Sequence, residues 1–279
     1  MEYVYITNQM VEDYRQHLIR EEKSKITIEK YVRDIQAFRR YIGENPITKE
    51  RVLSYKDYLV NHGYVSTSTN SMLASINSLF SFLAWDEYKV KGIRTQRKIY
   101  CPEEKELTKA EYQRLLNAAK QKSQLFMILQ TICSTGIRVS ELQYFTVEAV
   151  RAGQVNVTCK NKLRVVLIPG KLKIRLLRYI KEHGIKNGKI FVTRNGRAVD
   201  RSNIWTNMKK LCKEANVKAG KVFPHNLRKL FARTYYGIEK DIAKLADILG
   251  HGSIETTRIY IMTTSLEHRR KIDKLGLVQ

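Results

Sequence analysis

QVNVTCKNKLRVVLIP, residues 154–169, decides the architecture of this chain. Two β-branched-rich runs, QVNVT and LRVVLIP, flank CKNK, and the pattern predicts an antiparallel hairpin. KIFVT, residues 189–193, predicts a third strand. Around the hairpin the periodicity is helical. Helices are expected over Thr108–Gln121 and Ser123–Ser134 before it, and over Arg201–Ala215, His225–Tyr236, Asp241–Leu249 and Ile254–Ile261 after it. A last helix is expected near Leu266–Leu275. Residues 106–279 therefore read as a mixed α+β domain with a small sheet.

Further toward the amino terminus no strand pattern remains. Ile28, Tyr31, Val32, Ile35, Phe38 and Ile42 recur at helical spacing, as do Met72, Ile76, Leu79, Phe80 and Leu83. Ser66–Asn70, STSTN, offers capping side chains ahead of the second stripe. With helices near Met10–Arg20 and Lys49–Asn61, residues 1–88 predict a four-helix bundle. Residues 89–105, KVKGIRTQRKIYCPEEK, are basic and aperiodic and predict a linker. Thr108 and Glu111 form a capping-box pattern that opens the next helix. The fold class is thus mainly α with a small antiparallel sheet.

Charge narrows the partner. Lys and Arg total 51 against 27 Asp and Glu, a formal net charge of +24. Such an excess repels itself on folding and implies a polyanion, nucleic acid before an anionic membrane. The basic residues run along the whole chain, which favours a broad surface on duplex DNA. Cys101, Cys133, Cys159 and Cys212 form no C-x-x-C pair, and no zinc-type spacing is present, so reduced thiols and no metal are expected. The start, MEYVYITNQM, lacks the pattern of a signal peptide, and no apolar run is long enough to span a bilayer. A cytoplasmic, nucleoid-associated bacterial protein is expected.

Six residues carry the chemistry. They are Arg138 in TGIRVSEL, Lys160 in CKNKLRV, His225 and Arg228 in PHNLR, His251 in LGHGS and Tyr260 in ETTRIY. The first five donate hydrogen bonds or positive charge, and Tyr260 is a nucleophile once deprotonated. Attack on phosphorus builds negative charge on nonbridging oxygens, which preorganised cations stabilise. Arg138 and Arg228 are the expected clamps, because a guanidinium fork matches a phosphate and stays charged. Glu141, three residues past Arg138, is placed to orient it. His225 and Arg228 share a helical face, with Pro224 at the helix start. His225 is expected to take the tyrosine proton or donate to the phosphate. Lys160 is the expected general acid for the leaving oxygen, with Lys162 as the alternative. Neighbouring cations would favour the Tyr260 phenolate, and attack would give a 3′-phosphotyrosine and a free 5′ hydroxyl. Singly, one cation among 51 or one tyrosine among 16 is surface or core filler. Order and spacing together carry the reading.

At TGIRVSEL, the CKNKLRVVLIP hairpin, PHNLRKLFART and LGHGSIETTRIY, the chain resembles the tyrosine recombinases, the phage integrase family. The resemblance covers essentially the whole chain, and STSTNSMLASINSLFSFLAW resembles that family's amino-terminal core-binding, SAM-like domain. It departs from the Xer-type members at the hairpin, C-K-N-K-L-R in place of G-K-G-x-K-x-R, which leaves Lys160 and Lys162 open. The resemblance implies a helical core-binding domain and a catalytic domain clamped on a duplex with inverted-repeat core sites. It implies a homotetramer that exchanges strands through a Holliday junction, with no cofactor and no membrane. It also implies that the tail after Tyr260 docks on a neighbouring protomer, against which packing on its own domain stands as the alternative. Integration or excision of a mobile element, inversion and dimer resolution are all compatible. A type IB topoisomerase and a non-cutting architectural protein are the competing functions. Ser71, Asn77 and Lys209 are among many candidates for base contact.

Overall fold

The structure, a computed structural model, describes residues 4–95, 100–159, 162–193 and 195–276. Its backbone divides into two units, Met1–Arg97 and Lys98–Gln279. No helix among the described residues is long and apolar enough to cross a membrane.

The first unit is a bundle of α1 (Asn8–Arg20), α2 (Lys25–Ile42), α3 (Lys49–Asn61) and α4 (Ser66–Phe82). Thr7, Ser24 and Thr48 cap the first three, each accepting a backbone N–H of the first turn. The fourth differs from expectation. STSTN forms the opening turns of α4 itself, and Val65 is the N-cap without a side-chain bond. Ile35, Phe38, Val52, Ile76, Leu79 and Phe80 are fully buried at the bundle centre. Each such side chain contributes about 1.5–3 kcal/mol of transfer free energy. Asp34 is buried among them and bonds Lys30 at 2.7 Å and Ser75 Oγ at 2.9 Å, which ties α2 to α4.

The chain leaving α4 is strapped back along it. Asn77 donates to Val90 O and accepts from Val90 N; Asn70 does the same for Ile93. Each amide thus replaces a missing strand neighbour for one residue of an extended segment.

In the second unit Thr108 and Glu111 exchange both capping-box bonds and open α5 (Lys109–Ala118). α6 (Ser123–Thr135) runs through the core, with Leu129 and Ile132 fully buried. It stops at Gly136, whose φ of 65° is the left-handed conformation glycine adopts at no steric cost. A Cβ there would also collide with the Phe231 ring and Leu249. A 3-10 turn, Val139–Tyr144, and α7 (Val147–Ala152) lead into the hairpin.

Strands β1 (Gln154–Cys159) and β2 (Lys162–Leu167) pair antiparallel, with Val155 opposite Val166 and Val157 opposite Arg164. Alternation puts Val155, Val157, Val166 and Arg164 on the inner face, and leaves Leu163, Val165 and Leu167 exposed. KIFVT does not form a third strand. Lys189 and Val192 make only isolated bridges, to Thr146 and Ala198, while Ile190 and Phe191 are buried in the core. Its apolar, β-branched composition serves burial rather than a ladder.

α8 (Gly170–Glu182) and α7 are additions to the expected set. α8 buries Leu172, Leu176, Tyr179 and Ile180 at helical spacing. α9 (Arg201–Leu211), α10 (Pro224–Glu239), α11 (Ile242–Leu249), α12 (Ile254–Ile261) and α13 (Ser265–Asp273) complete the unit. α13 begins with a Thr264–Glu267 capping box. Arg233 on α10 reaches Glu267 at 2.7 Å and buried Glu106 at 3.0 Å, which fastens α13 to its own domain.

Candidate active site

Three chain turns and a hairpin meet at one point. After Gly136 ends α6, Arg138 becomes the N-cap of the 3-10 turn, and Glu141 accepts from its backbone N–H at 2.7 Å. The same carboxylate accepts from Arg138 Nη1 at 3.0 Å, and Arg138 Nη2 donates to Gly250 O at 3.0 Å. Arg138 is therefore aimed by three bonds, yet its side chain stays 32% exposed.

Pro224 occupies the first turn of α10, so the helix starts abruptly and places His225 at its mouth. One turn on, Arg228 is only 1% exposed. Its Nη1 donates to Gly136 O, and its Nη2 to Leu249 O at 2.6 Å and to His251 Nε2 at 3.0 Å. Its Nε is buried without a partner among the described residues. Burial first, and then the Arg138 charge, lower the Arg228 pKa to about 10, so it remains a cation at neutral pH.

His251 follows Gly250, the left-handed cap of α11. Arg228 can only donate, so His251 Nε2 is the acceptor. The ring proton then sits on Nδ1 and is donated to Thr257 Oγ1 at 2.8 Å. Removal from water, followed by the Arg228 and Arg138 charges, lowers the His251 pKa to about 4. His225 keeps a solvent-facing edge, but packing over its inner side holds its pKa down to about 4, with Lys229 and Arg228 adding repulsion. Both imidazoles are neutral at physiological pH.

Tyr260 on α12 lies among these groups and is 8% exposed. Its hydroxyl is 3.5 Å from His225 Nδ1. Both imidazoles meet its ring edge-on, with centroids at 4.9 Å for His225 and 4.7 Å for His251. The Arg228 guanidinium lies over its face, 5.8 Å from the centroid. Arg138, Glu141, His225, Arg228, His251 and Tyr260 are thus brought together. Lys160 lies outside the described residues. Lys162 opens β2, paired with Cys159. Among the described residues no cluster of three or more His, Cys, Asp or Glu could hold a metal ion.

Comparison with known proteins gives this geometry a family. Residues 105–266 match the model of the phage integrase family, and residues 11–87 match its N-terminal SAM-like domain. The chain belongs to the phage integrase family. It is a tyrosine recombinase, an enzyme of site-specific DNA recombination. Tyrosine recombinase XerA of Thermococcus kodakarensis is 27% identical over 98% of this chain and 97% of its own length. Tyrosine recombinase XerD of Halalkalibacterium halodurans is 27% identical over 88% of this chain and 90% of its own. Among solved structures, XerA recombinase covers 98% of this chain and 100% of its own at 25% identity, with a TM-score of 0.56. A lambda integrase dimer bound to a COC′ core site shares the fold, with a TM-score of 0.75 at 17% identity, over 91% of this chain and 95% of its own.

In the recombinase the cluster also includes residues that the motifs did not reveal. Arg164 on β2 donates to Glu141 Oε2 at 2.6 Å and to Ile248 O at 3.0 Å. Thr257 fixes the His251 tautomer, and Gly250 supplies both a carbonyl for Arg138 and room for Arg164. Period-two alternation with Val166 was the readable sign that Arg164 faces inward; its partners were not readable. Of the three residues named for base contact, Asn77 uses its amide on Val90, and Lys209 donates to Ala219 O. The Ser71 carbonyl accepts from Lys30. Lys30, Arg33, Arg40, Ser68 and Ser71 line a basic cleft between α2 and α4.

Proposed function

We propose that this recombinase cuts and rejoins duplex DNA through a covalent 3′-phosphotyrosine on Tyr260. The observation that supports it is the packing of Arg138, His225, Arg228 and His251 around that single hydroxyl-bearing ring. In the reaction the Tyr260 oxygen attacks the scissile phosphorus, and its proton passes to His225, whose ring is neutral at neutral pH and accepts at Nδ1 in the tautomer protonated on Nε2. The imidazolium formed is offset by the phosphate dianion character of the transition state. Arg138 and Arg228, with His251, bear the charge on the nonbridging oxygens. The 5′ oxygen leaves as a hydroxyl after protonation by a hairpin lysine, Lys160 or Lys162. The phosphotyrosine keeps the energy of the broken diester, so attack by an incoming 5′ hydroxyl reseals the strand without ATP.

Residues 1–88 would bind the flank of a core site, with the basic cleft of Lys30, Arg33 and Arg40 on backbone phosphates. Residues 89–105 would connect them to the catalytic domain, 106–279. Strand exchange would proceed in a homotetramer on paired inverted-repeat sites through a Holliday junction, the state in which a lambda integrase tetramer has been solved. For that assembly the exposed Ile272 and Leu275, at the end of α13 and just beyond it, would meet a neighbour while Arg233 keeps the start of the helix on its own domain.

The test uses a pool of nicked duplexes with randomised inverted arms. Denaturant-resistant protein–DNA adducts are isolated and sequenced. Wild type forms adducts enriched in one arm sequence, whereas Tyr260→Phe binds the same duplexes and forms none. An adduct with the Phe variant refutes the assignment. Relaxation of a supercoiled plasmid lacking the enriched sequence would favour a topoisomerase instead.

A further inference from the structure

We propose that Arg164 is a positioning residue that leaves the Arg138 charge uncancelled toward the DNA by holding the second oxygen of Glu141. The inference deepens the recombinase reading and rests on it. An arginine oriented by a carboxylate has its direction fixed and its charge cancelled at once. Glu141 is 2% exposed and bonds Arg138 through both oxygens, so that cancellation is built in. Arg164 changes the balance. It sits 2.6 Å from Glu141 Oε2, with 13% of its side chain exposed. Two guanidinium groups and one carboxylate leave one net positive charge, and only Arg138, 32% exposed, presents it outward. In a weakly screened site that residual charge acts strongly on a phosphate.

The packing around Arg164 shows a fixed part rather than a surface cation. Its other nitrogen donates to Ile248 O at 3.0 Å, and its inward direction is set by the β2 register opposite Val157. Gly250 is cut away to admit it: a Cβ there would lie 2.6 Å from Arg164 Nε and 2.7 Å from Cδ. The carbonyl of the same glycine receives Arg138 Nη2. The two arginines therefore meet at Gly250, one at its carbonyl and the other where a side chain would begin. Together they fix the hairpin, the turn after α6 and the loop carrying His251 as one unit.

The charge argument makes a prediction that a scaffolding role does not. The rate of adduct formation is measured at saturating protein on the nicked duplex pool, together with binding to the unnicked duplexes. Arg164→Met slows adduct formation about tenfold or more while changing binding less than about threefold. Combining it with Glu141→Gln removes the uncompensated carboxylate, so the double variant reacts faster than Arg164→Met alone. Wild-type speed in Arg164→Met overturns the proposal, as does a double variant slower than the single one. If Arg164→Met does not fold, Arg164→Lys decides: a rate within about threefold of wild type supports the proposal, and a fall as deep as that of Arg138→Ala overturns it. Absence of any wild-type adduct refutes the recombinase reading itself.

Discussion

Acid should loosen the catalytic unit through His251, and the size of the effect follows from its neighbours. The ring accepts from Arg228 through Nε2, so a second proton on the ring would break that bond and set two cations against each other. Its pKa is accordingly lowered from 6.5 to about 4. The unfolded chain binds a proton near the ordinary value and the folded one does not. Stability from this group is therefore complete above about pH 6.5 and is lost progressively as pH falls toward about 4. At about pH 5 the unfolded imidazole is mostly protonated and the folded one mostly neutral, a difference of about 2 kcal/mol. The chain has two tryptophans, Trp85 and Trp205, one in each unit. In a Trp85→Phe background, Trp205 fluorescence reports urea unfolding of the catalytic unit alone. His251→Gln in that background should flatten the loss of stability between about pH 8 and about pH 5 by ~2 kcal/mol. Parallel pH dependences with and without His251 would refute the buried neutral imidazole.

Two further outcomes are expected. Gly136→Ala forces a side chain into a left-handed residue and against Phe231, so it should cost about 2–4 kcal/mol and lower the melting temperature by roughly 5–15 °C; an unchanged melt would contradict the packing. Arg233→Ala removes the link between Glu106 and Glu267, so amide exchange in α13 should quicken about fivefold, the effect of losing a partly screened pair worth ~1 kcal/mol, whereas unaltered exchange would mean that other contacts hold the helix.

Local chemistry was legible and long-range closure was not. The capping box at Thr108 and Glu111, the H-x-x-R pair on α10 and the β-branched hairpin all depend on neighbours within a few residues, and all formed. α8 was equally legible, since Leu172, Leu176, Tyr179 and Ile180 mark one helical face. KIFVT misled because β-branched composition fits a buried extended segment as well as a ladder. In the site, the clustering of motif residues agreed with their order in the chain. The bonds from Arg164 to Glu141 and Ile248 cross 23 and 84 positions, and no spacing rule reaches that far. Burial of Arg228 was equally hidden, because it depends on carbonyls supplied by the ends of α6 and α11.

The ring of Tyr260 is a roof over Arg228, whose fork is already engaged by main-chain oxygens. A phosphate that approached this guanidinium from the ring side would therefore meet an aromatic face before it met a cation, and the charge would be felt through the edge shared with His251 rather than through an open fork.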